Sequence, residues 1–295
     1  MRKAVIDLGT NTFNLLIAEV NNGQLNVIYS DKEAVLLGMG GINKGLIAPD
    51  ALARAKETLR TFKNKCDNHN VKIIFAIGTS ALRDSSNSGD LLYFTKAELG
   101  FEISIISGYK EADFIYKGVK WGYDFKKPSI VMDIGGGSTE FIAADENGLQ
   151  EKTSLDIGVS RIFQALNRPE EFSNDGIKRI VQFLEDEKNS FFSNVSASIL
   201  VGSSGSFETI YEMIYQRSFP EGAEAIELPF DEVIKILEWI ITSSLKDRLD
   251  NDWIAKIRKR MLPIAAVKML WVINHFGIKT IYVSSFSLKE GVLND

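Results

Sequence analysis

The chain has 295 residues, 45% of them hydrophobic and 25% charged, the composition of an ordinary globular protein of about two domains. Its net charge of -5 gives no global electrostatic case for nucleic acid as a partner. One cysteine, Cys66, excludes an internal disulfide framework and a cysteine-based metal cluster, and it fits a reducing, cytoplasmic setting. Two histidines, His69 and His275, exclude histidine-rich metal chemistry. Too few apolar residues precede Asp7 for a signal sequence, and no run reaches the ~18 apolar residues of a membrane span.

In chain order, "KAVIDLGTNTFNLLIAEVNNG" predicts two strands joined by a hydroxyl-rich turn and followed by an Asn21-Asn22-Gly23 turn. "QLNVIYSDKEAVLL" reads as a third strand. "PDALARAKETLRTFKNKC" predicts a helix, with Pro49 and Asp50 in its opening turn and Leu52, Leu59 and Phe62 on one face. "VKIIFAIGTSAL" reads as a strand leading into a loop, and "GDLLYFTKAELG" as a helix closed by Gly100. "FEISIIS" is a strand and "YKEADFIYKGVKW" a helix. The pattern is then interrupted at "YDFKKPS" by Lys126, Lys127 and Pro128.

The phrase then repeats. "SIVMDIGGGSTEFIAADENG" again gives an apolar strand, an Asp, a glycine- and hydroxyl-rich turn, a second strand and an Asn-Gly turn. Asp133 matches Asp7, and Gly135 matches Gly9. "LQEKTSLDIGVS" is the third strand, "NDGIKRIVQFLEDEKNSFF" a helix, and "ASILVGSSGS" a strand leading into a loop. "DEVIKILEWIITSSL" and "DWIAKIRKRMLPIAAVKMLWVINHFG" predict helices, the latter broken or bent near Pro263. "KTIYVSSF" is a strand and "SLKEGVLN" a closing helix. The expectation is an α/β chain of two duplicated domains, 1–126 and 127–295, each a mixed five-stranded sheet flanked by helices. A cleft would lie between them, and the closing helix, 287–295, could pack back on the first domain.

Three consecutive glycines after a strand-end acid fit two readings. A hairpin needs glycine's positive φ at one or two positions. An anion cradle uses glycines so that backbone N–H groups approach a phosphate, with Asp133 and Glu140 holding a metal ion.

Four motifs resemble the exopolyphosphatase and guanosine pentaphosphate phosphohydrolase family, within the actin-like (ribonuclease H-like), sugar-kinase and chaperone ATPase superfamily. They are "DLGTNTFNLLIAEV", "IGTSALRDSSN", "IISGYKEADFIYKGV" and "VMDIGGGSTEF"; "VGSSGSFETI" fits more loosely. The resemblance implies two actin-like domains and hydrolytic release of a terminal phosphate from a long or triphosphate-like anion, with Mg²⁺ or another divalent cation. Inorganic polyphosphate is the expected substrate. Guanosine pentaphosphate is the alternative, as is a weakly active polyphosphate- or alarmone-binding regulatory protein. No nucleic acid or membrane partner is expected, and such a pair of domains could form a homodimer.

The family's general base falls at Glu111, which the residues alone would equally allow as a helix-start carboxylate complementing the dipole. Asp133 is the expected catalytic metal ligand, with Glu140 and Asp7 beside it, although each could simply cap a turn. Donors to phosphate are expected from Thr10, Asn11 and Thr12, from Gly135, Gly136, Gly137, Ser138 and Thr139, and from Ser204, Gly205 and Ser206. Arg83 could fork onto a phosphate and offset charge on the leaving chain, or pair with Asp84 at the surface. Lys110, Lys117, Lys120, Lys126 and Lys127 could steer a polyanion or be plain solvated lysines. The family often has Glu before the base, Arg two residues after it and a basic residue near position 14. Here those places hold Lys110, Asp113 and Asn14.

Overall fold

A computed structural model describes residues 1–21 and 24–295, so the expected turn at Asn22 and Gly23 lies outside the described residues. The first sheet contains β1 (Lys3–Leu8), β2 (Phe13–Asn21), β3 (Gln24–Glu33), β4 (Ile73–Gly78) and β5 (Ile103–Ile105), in the order β3-β2-β1-β4-β5. Strands β1, β2 and β3 pair antiparallel; β1, β4 and β5 pair parallel. The second sheet contains β6 (Ser129–Ile134), β7 (Thr139–Asp145), β8 (Gly148–Leu155), β9 (Ile199–Gly202), β10 (Ile226–Leu228) and β11 (Thr280–Val283). Its order is β10-β11-β9-β6-β7-β8, with the same pattern of directions through its five principal strands. The sixth, β10, is a three-residue edge strand that the expectation of five omitted. Both sheets bulge at equivalent places, between Ile17 and Ala18 and between Ala143 and Ala144. The internal repeat therefore extends to the irregularities of the fold.

The helices are α1 (Pro49–Asn68), α2 (Ser80–Arg83), α3 (Gly89–Phe94), α4 (Gly108–Val119), α5 (Val159–Ala165), α6 (Asn174–Asp186), α7 (Phe191–Asn194), α8 (Gly205–Tyr215), α9 (Phe230–Thr242), α10 (Leu245–Asp250), α11 (Leu262–Phe276) and α12 (Leu288–Leu293). Helix α1 forms on the apolar spacing seen in the sequence. It buries Ala51, Ala55, Leu59, Phe62 and Cys66 against the first sheet, and Leu59 and Phe62 contribute about 1.5–3 kcal/mol each. Pro263 does not bend a long helix: residues before Leu262 are turns, and Pro263 sits in the first turn of α11, where its missing N–H costs nothing. Among the described residues no helix is long and apolar enough to cross a membrane.

Helices α4 and α12 fill the space between the sheets, in a core with Val5, Leu16 and Ile77 from one sheet and Val131, Ile142 and Val201 from the other. Their crossing is set by glycine. A Cβ on Gly118 would lie 1.7 Å from the Ser287 carbonyl oxygen, and one on Gly291 would lie 1.7 Å from that of Phe114. Only glycines allow this backbone contact, which carries the C-terminal segment to the head of the first half.

Candidate active site

The two β-turns that carry the repeated phrase have the same hydrogen bond. The Gly9 N–H donates to the Thr12 carbonyl and the Gly135 N–H to the Ser138 carbonyl, both at 3.1 Å. Asp7 faces Asn14 across one hairpin, and Asp133 faces Glu140 across the other. The turns approach closely enough that a Cβ on Gly136 would lie 2.8 Å from Thr10 and 2.9 Å from Asn11. Between them opens a cleft of about 200 Å³.

Helix α5, whose first two residues, Val159 and Ser160, the sequence reading put at the tail of a strand, fixes the triple glycine. The N–H groups of Gly158, Val159 and Ser160 donate to the carbonyls of Gly137, Gly135 and Gly136. The acceptor side of the turn is thereby occupied, which leaves its N–H side for the cleft. Ser160 also donates to the Asn11 Oδ1, so the Asn11 amide keeps its NH₂ donors for another partner.

Helix α4 starts at Ser107, whose hydroxyl accepts from the Lys110 N–H at 3.2 Å. The next residue, Gly108, packs on Ser154 of β8, where a Cβ would come within 2.3 Å of the hydroxyl oxygen. Ser154 in turn donates to Glu140 at 2.7 Å. This contact brings Glu111, one turn along the helix and only 8% exposed, beside the carboxylates of the second half. Burial and then the charge of Glu140 push Glu111 well above the usual carboxylate range, while Arg83 pulls it down. Burial, then Glu140, pushes Asp133 up to about 8; Ser287 donates to its Oδ2 at 2.7 Å and Ser203 at 3.4 Å. Burial also raises Glu140 and Asp7.

The expected residues divide by position. Asp7, Thr10, Asn11, Thr12, Glu111, Asp133, Gly135, Gly136, Ser138, Glu140, Ser204, Gly205 and Ser206 line the cleft. Gly137 and Thr139 do not. Gly137 packs on Ser80 and Thr10, and the Thr139 hydroxyl accepts from the buried ammonium of Lys268. Arg83 stands behind Glu111 rather than in the open cavity. Its Nη1 donates to Glu111 and to the Ile106 carbonyl, both at 3.2 Å.

None of the five lysines named above lines the cleft. Lys110 and Lys117 pair with Asp295, and Lys126 pairs with Asp124. Asp113 pairs with Lys152, and Asn14 donates to Asp7 at 2.9 Å. The cations that do line the cleft are Lys32, Arg258 and Lys289. Sequence reasoning missed them as site residues. Lys32 is the cross-strand neighbour of Asn14, so strand register was the one signal that pointed to it.

Among the described residues, no three His, Cys, Asp or Glu side chains form a ready metal cage. Mg²⁺ does not need one, because it takes one or two carboxylates and completes its shell with water and substrate phosphate. The donors here are hard oxygens on carboxylates whose pKa burial, first of all, raises above the usual range, and a bound cation would favour their charged form. The site therefore fits a divalent cation.

Residues 16–295 match the Ppx/GppA phosphatase family. The chain belongs to that family. A bifunctional 3-dehydroquinate synthase/phosphatase of Fusobacterium nucleatum is 35% identical over 226 residues, covering 70% of this chain and 33% of that protein. A guanosine-5'-triphosphate,3'-diphosphate pyrophosphatase of Vibrio cholerae is 25% identical over 294 residues, covering 98% of this chain and 58% of that protein. The chain thus spans a third and somewhat over half of these two relatives. Among solved structures, an exopolyphosphatase from Cytophaga hutchinsonii superposes with a TM-score of 0.95 at 32% identity, covering 100% of this chain and 97% of that one. The two-sheet architecture is shared with that exopolyphosphatase over the whole chain.

Proposed function

We propose that this Ppx/GppA protein is a divalent-metal-dependent exopolyphosphatase that removes the terminal phosphate of inorganic polyphosphate. The observation that carries the reading is the convergence of two matched turns, rich in N–H and hydroxyl donors, on one cleft with a buried carboxylate at Glu111. The near-complete likeness to the Cytophaga hutchinsonii exopolyphosphatase supports polyphosphate over a nucleotide.

The terminal phosphate sits between the turns at 9–12 and 135–138, held by backbone N–H groups and by the hydroxyls of Thr10, Thr12 and Ser138. Asp133, with Asp7 and Glu140 nearby, is the set that would hold Mg²⁺. When bound, the ion supplies positive charge against the phosphate oxygens. Glu111 takes a proton from a water in line with the anhydride bond. The new P–O bond forms as the bridging P–O bond breaks, and the shortened chain leaves with the electron pair. Burial and the charge of Glu140 raise the proton affinity of Glu111, which strengthens it as a base, and Arg83 holds its carboxylate in place. Lys32, Arg258 and Lys289 take the negative charge of the remaining chain.

The reading is tested by phosphate release from long polyphosphate, short polyphosphate and guanosine pentaphosphate, each with Mg²⁺ and with chelator. Release from polyphosphate that stops on chelation is the expected result. Release only from guanosine pentaphosphate would replace the substrate. Binding of polyphosphate without any release would replace the enzyme with a binding protein.

A further inference from the structure

Three cations line the cleft, and a carboxylate stands among them. Glu208, in the first turn of α8, lies 3.6 Å from the Lys32 ammonium of β3 and 3.2 Å from the Arg258 guanidinium, with Lys289 close enough to act on it. All four side chains line the same cavity as the glycine turn. Lys32 comes from the first sheet and Glu208 from the second half, so the carboxylate bridges the cleft. Arg258 reaches Glu208 because Gly205 has no side chain: a Cβ there would lie 1.6 Å from the guanidinium.

We propose that Glu208 is a resident competitor for the subsite that receives the substrate's second phosphate, and so a residue that sets which anions are retained. This rests on the phosphohydrolase reading above. Lys32 and Arg258 are the cations a penultimate phosphate would meet, and Glu208 already satisfies them. An incoming anion must displace the carboxylate from Lys32 and Arg258, so the exchange favours anions that bring more charge than one carboxylate does. A long chain, gripped at further points along the cleft, displaces Glu208. A short product anion has fewer contacts and is expelled when the carboxylate swings back.

A plain structural role makes a different prediction. If the Lys32–Glu208 pair only clamps the two halves together, breaking it from either side disturbs the cleft in the same direction. If Glu208 competes with substrate, the two sides act oppositely. The test is calorimetric titration of a methylene-bridged, hydrolysis-resistant diphosphate analogue, in Mg²⁺ buffer, into the wild type, Glu208→Gln and Lys32→Met. Glu208→Gln should bind about tenfold more tightly, the change one displaced charge-assisted hydrogen bond produces, and Lys32→Met should bind more weakly. Unchanged or weaker binding by Glu208→Gln, or tighter binding by Lys32→Met, overturns the proposal. Thermal melting of each variant checks that it is folded. Wild-type release of phosphate from polyphosphate is measured in the same buffer. Its absence would sink the phosphohydrolase reading, while the analogue affinities still decide the role of Glu208.

Discussion

Asp133 has two oxygens, and the structure commits one of them. Its Oδ2 accepts from Ser287 and Ser203, which fixes the carboxylate plane and leaves Oδ1 for a ligand. Partners of this kind orient a metal-binding carboxylate, and their loss costs roughly 10–100-fold in metal affinity. Ser287→Ala should therefore weaken Mg²⁺ binding by about tenfold in calorimetry while the protein stays folded; unchanged affinity would show that the bond orients nothing. Asp133 and the glycine turn were legible in the residues themselves, because a strand-end acid before a glycine run is a local signal, whereas Glu111 was singled out by the family resemblance, since the residues alone equally allow a helix-start carboxylate. Lys32, Arg258 and Lys289 were not, because nothing local distinguishes them from solvated charges. Each reaches the cleft only through tertiary contact. The departures at Lys110 and Asp113 proved to be ion pairs away from the cleft, whereas the basic residue missing at Asn14 has a cross-strand counterpart in Lys32.

At the scale of elements, the crossing of α4 and α12 joins the proposed base, Glu111, to Ser287, the partner of Asp133. Helix α4 carries Glu111. Helix α12 follows directly on Ser287, the donor to Asp133, and its capping box ties Ser287 to Glu290. With Gly118 and Gly291 in backbone contact, a methyl group on either has no room. Gly118→Ala or Gly291→Ala should lower stability by about 1–3 kcal/mol or more, seen as a fall in denaturant midpoint, and should reduce activity with it. A fully active variant with an unshifted midpoint would show that the crossing yields easily. Helix α5 was hidden in the sequence for a physical reason. It spans only Val159–Ala165, and its N-cap, Gly158, offers no side-chain cap, so its start signals are weak. What holds it is the row of glycine carbonyls it covers. Helix α8 likewise begins inside the Ser203-Ser204-Gly205-Ser206 turn that the sequence reads as the start of a loop.

The whole molecule is acidic, yet its cleft presents Lys32, Arg258 and Lys289, the cations to which the proposed function assigns the polyanion. Attraction to such a local patch is screened over roughly 8–10 Å at ordinary ionic strength. The KM for polyphosphate should therefore rise steeply between low and physiological salt while kcat changes little, and a salt-independent KM would argue against electrostatic capture. The duplicated fold was legible because both halves repeat an apolar strand, an acid, a tight turn and a second strand. The equivalent bulges and turn hydrogen bonds show how far that repetition extends. The close crossing of α4 and α12 was less legible than the possibility that the closing helix packs back on the first domain, since the packing angle of a short helix depends on the partner surface rather than on its own periodicity.

The central claim is that the paired turns hold a phosphate beside a single base. Glu111→Gln keeps the shape of that residue and removes its ability to take a proton, and general-base catalysis is worth roughly 10²–10⁴-fold. Single-turnover release of phosphate from polyphosphate, measured beside polyphosphate affinity, is the direct test. The account predicts release slowed by about that factor with affinity retained; release at the wild-type rate would contradict it.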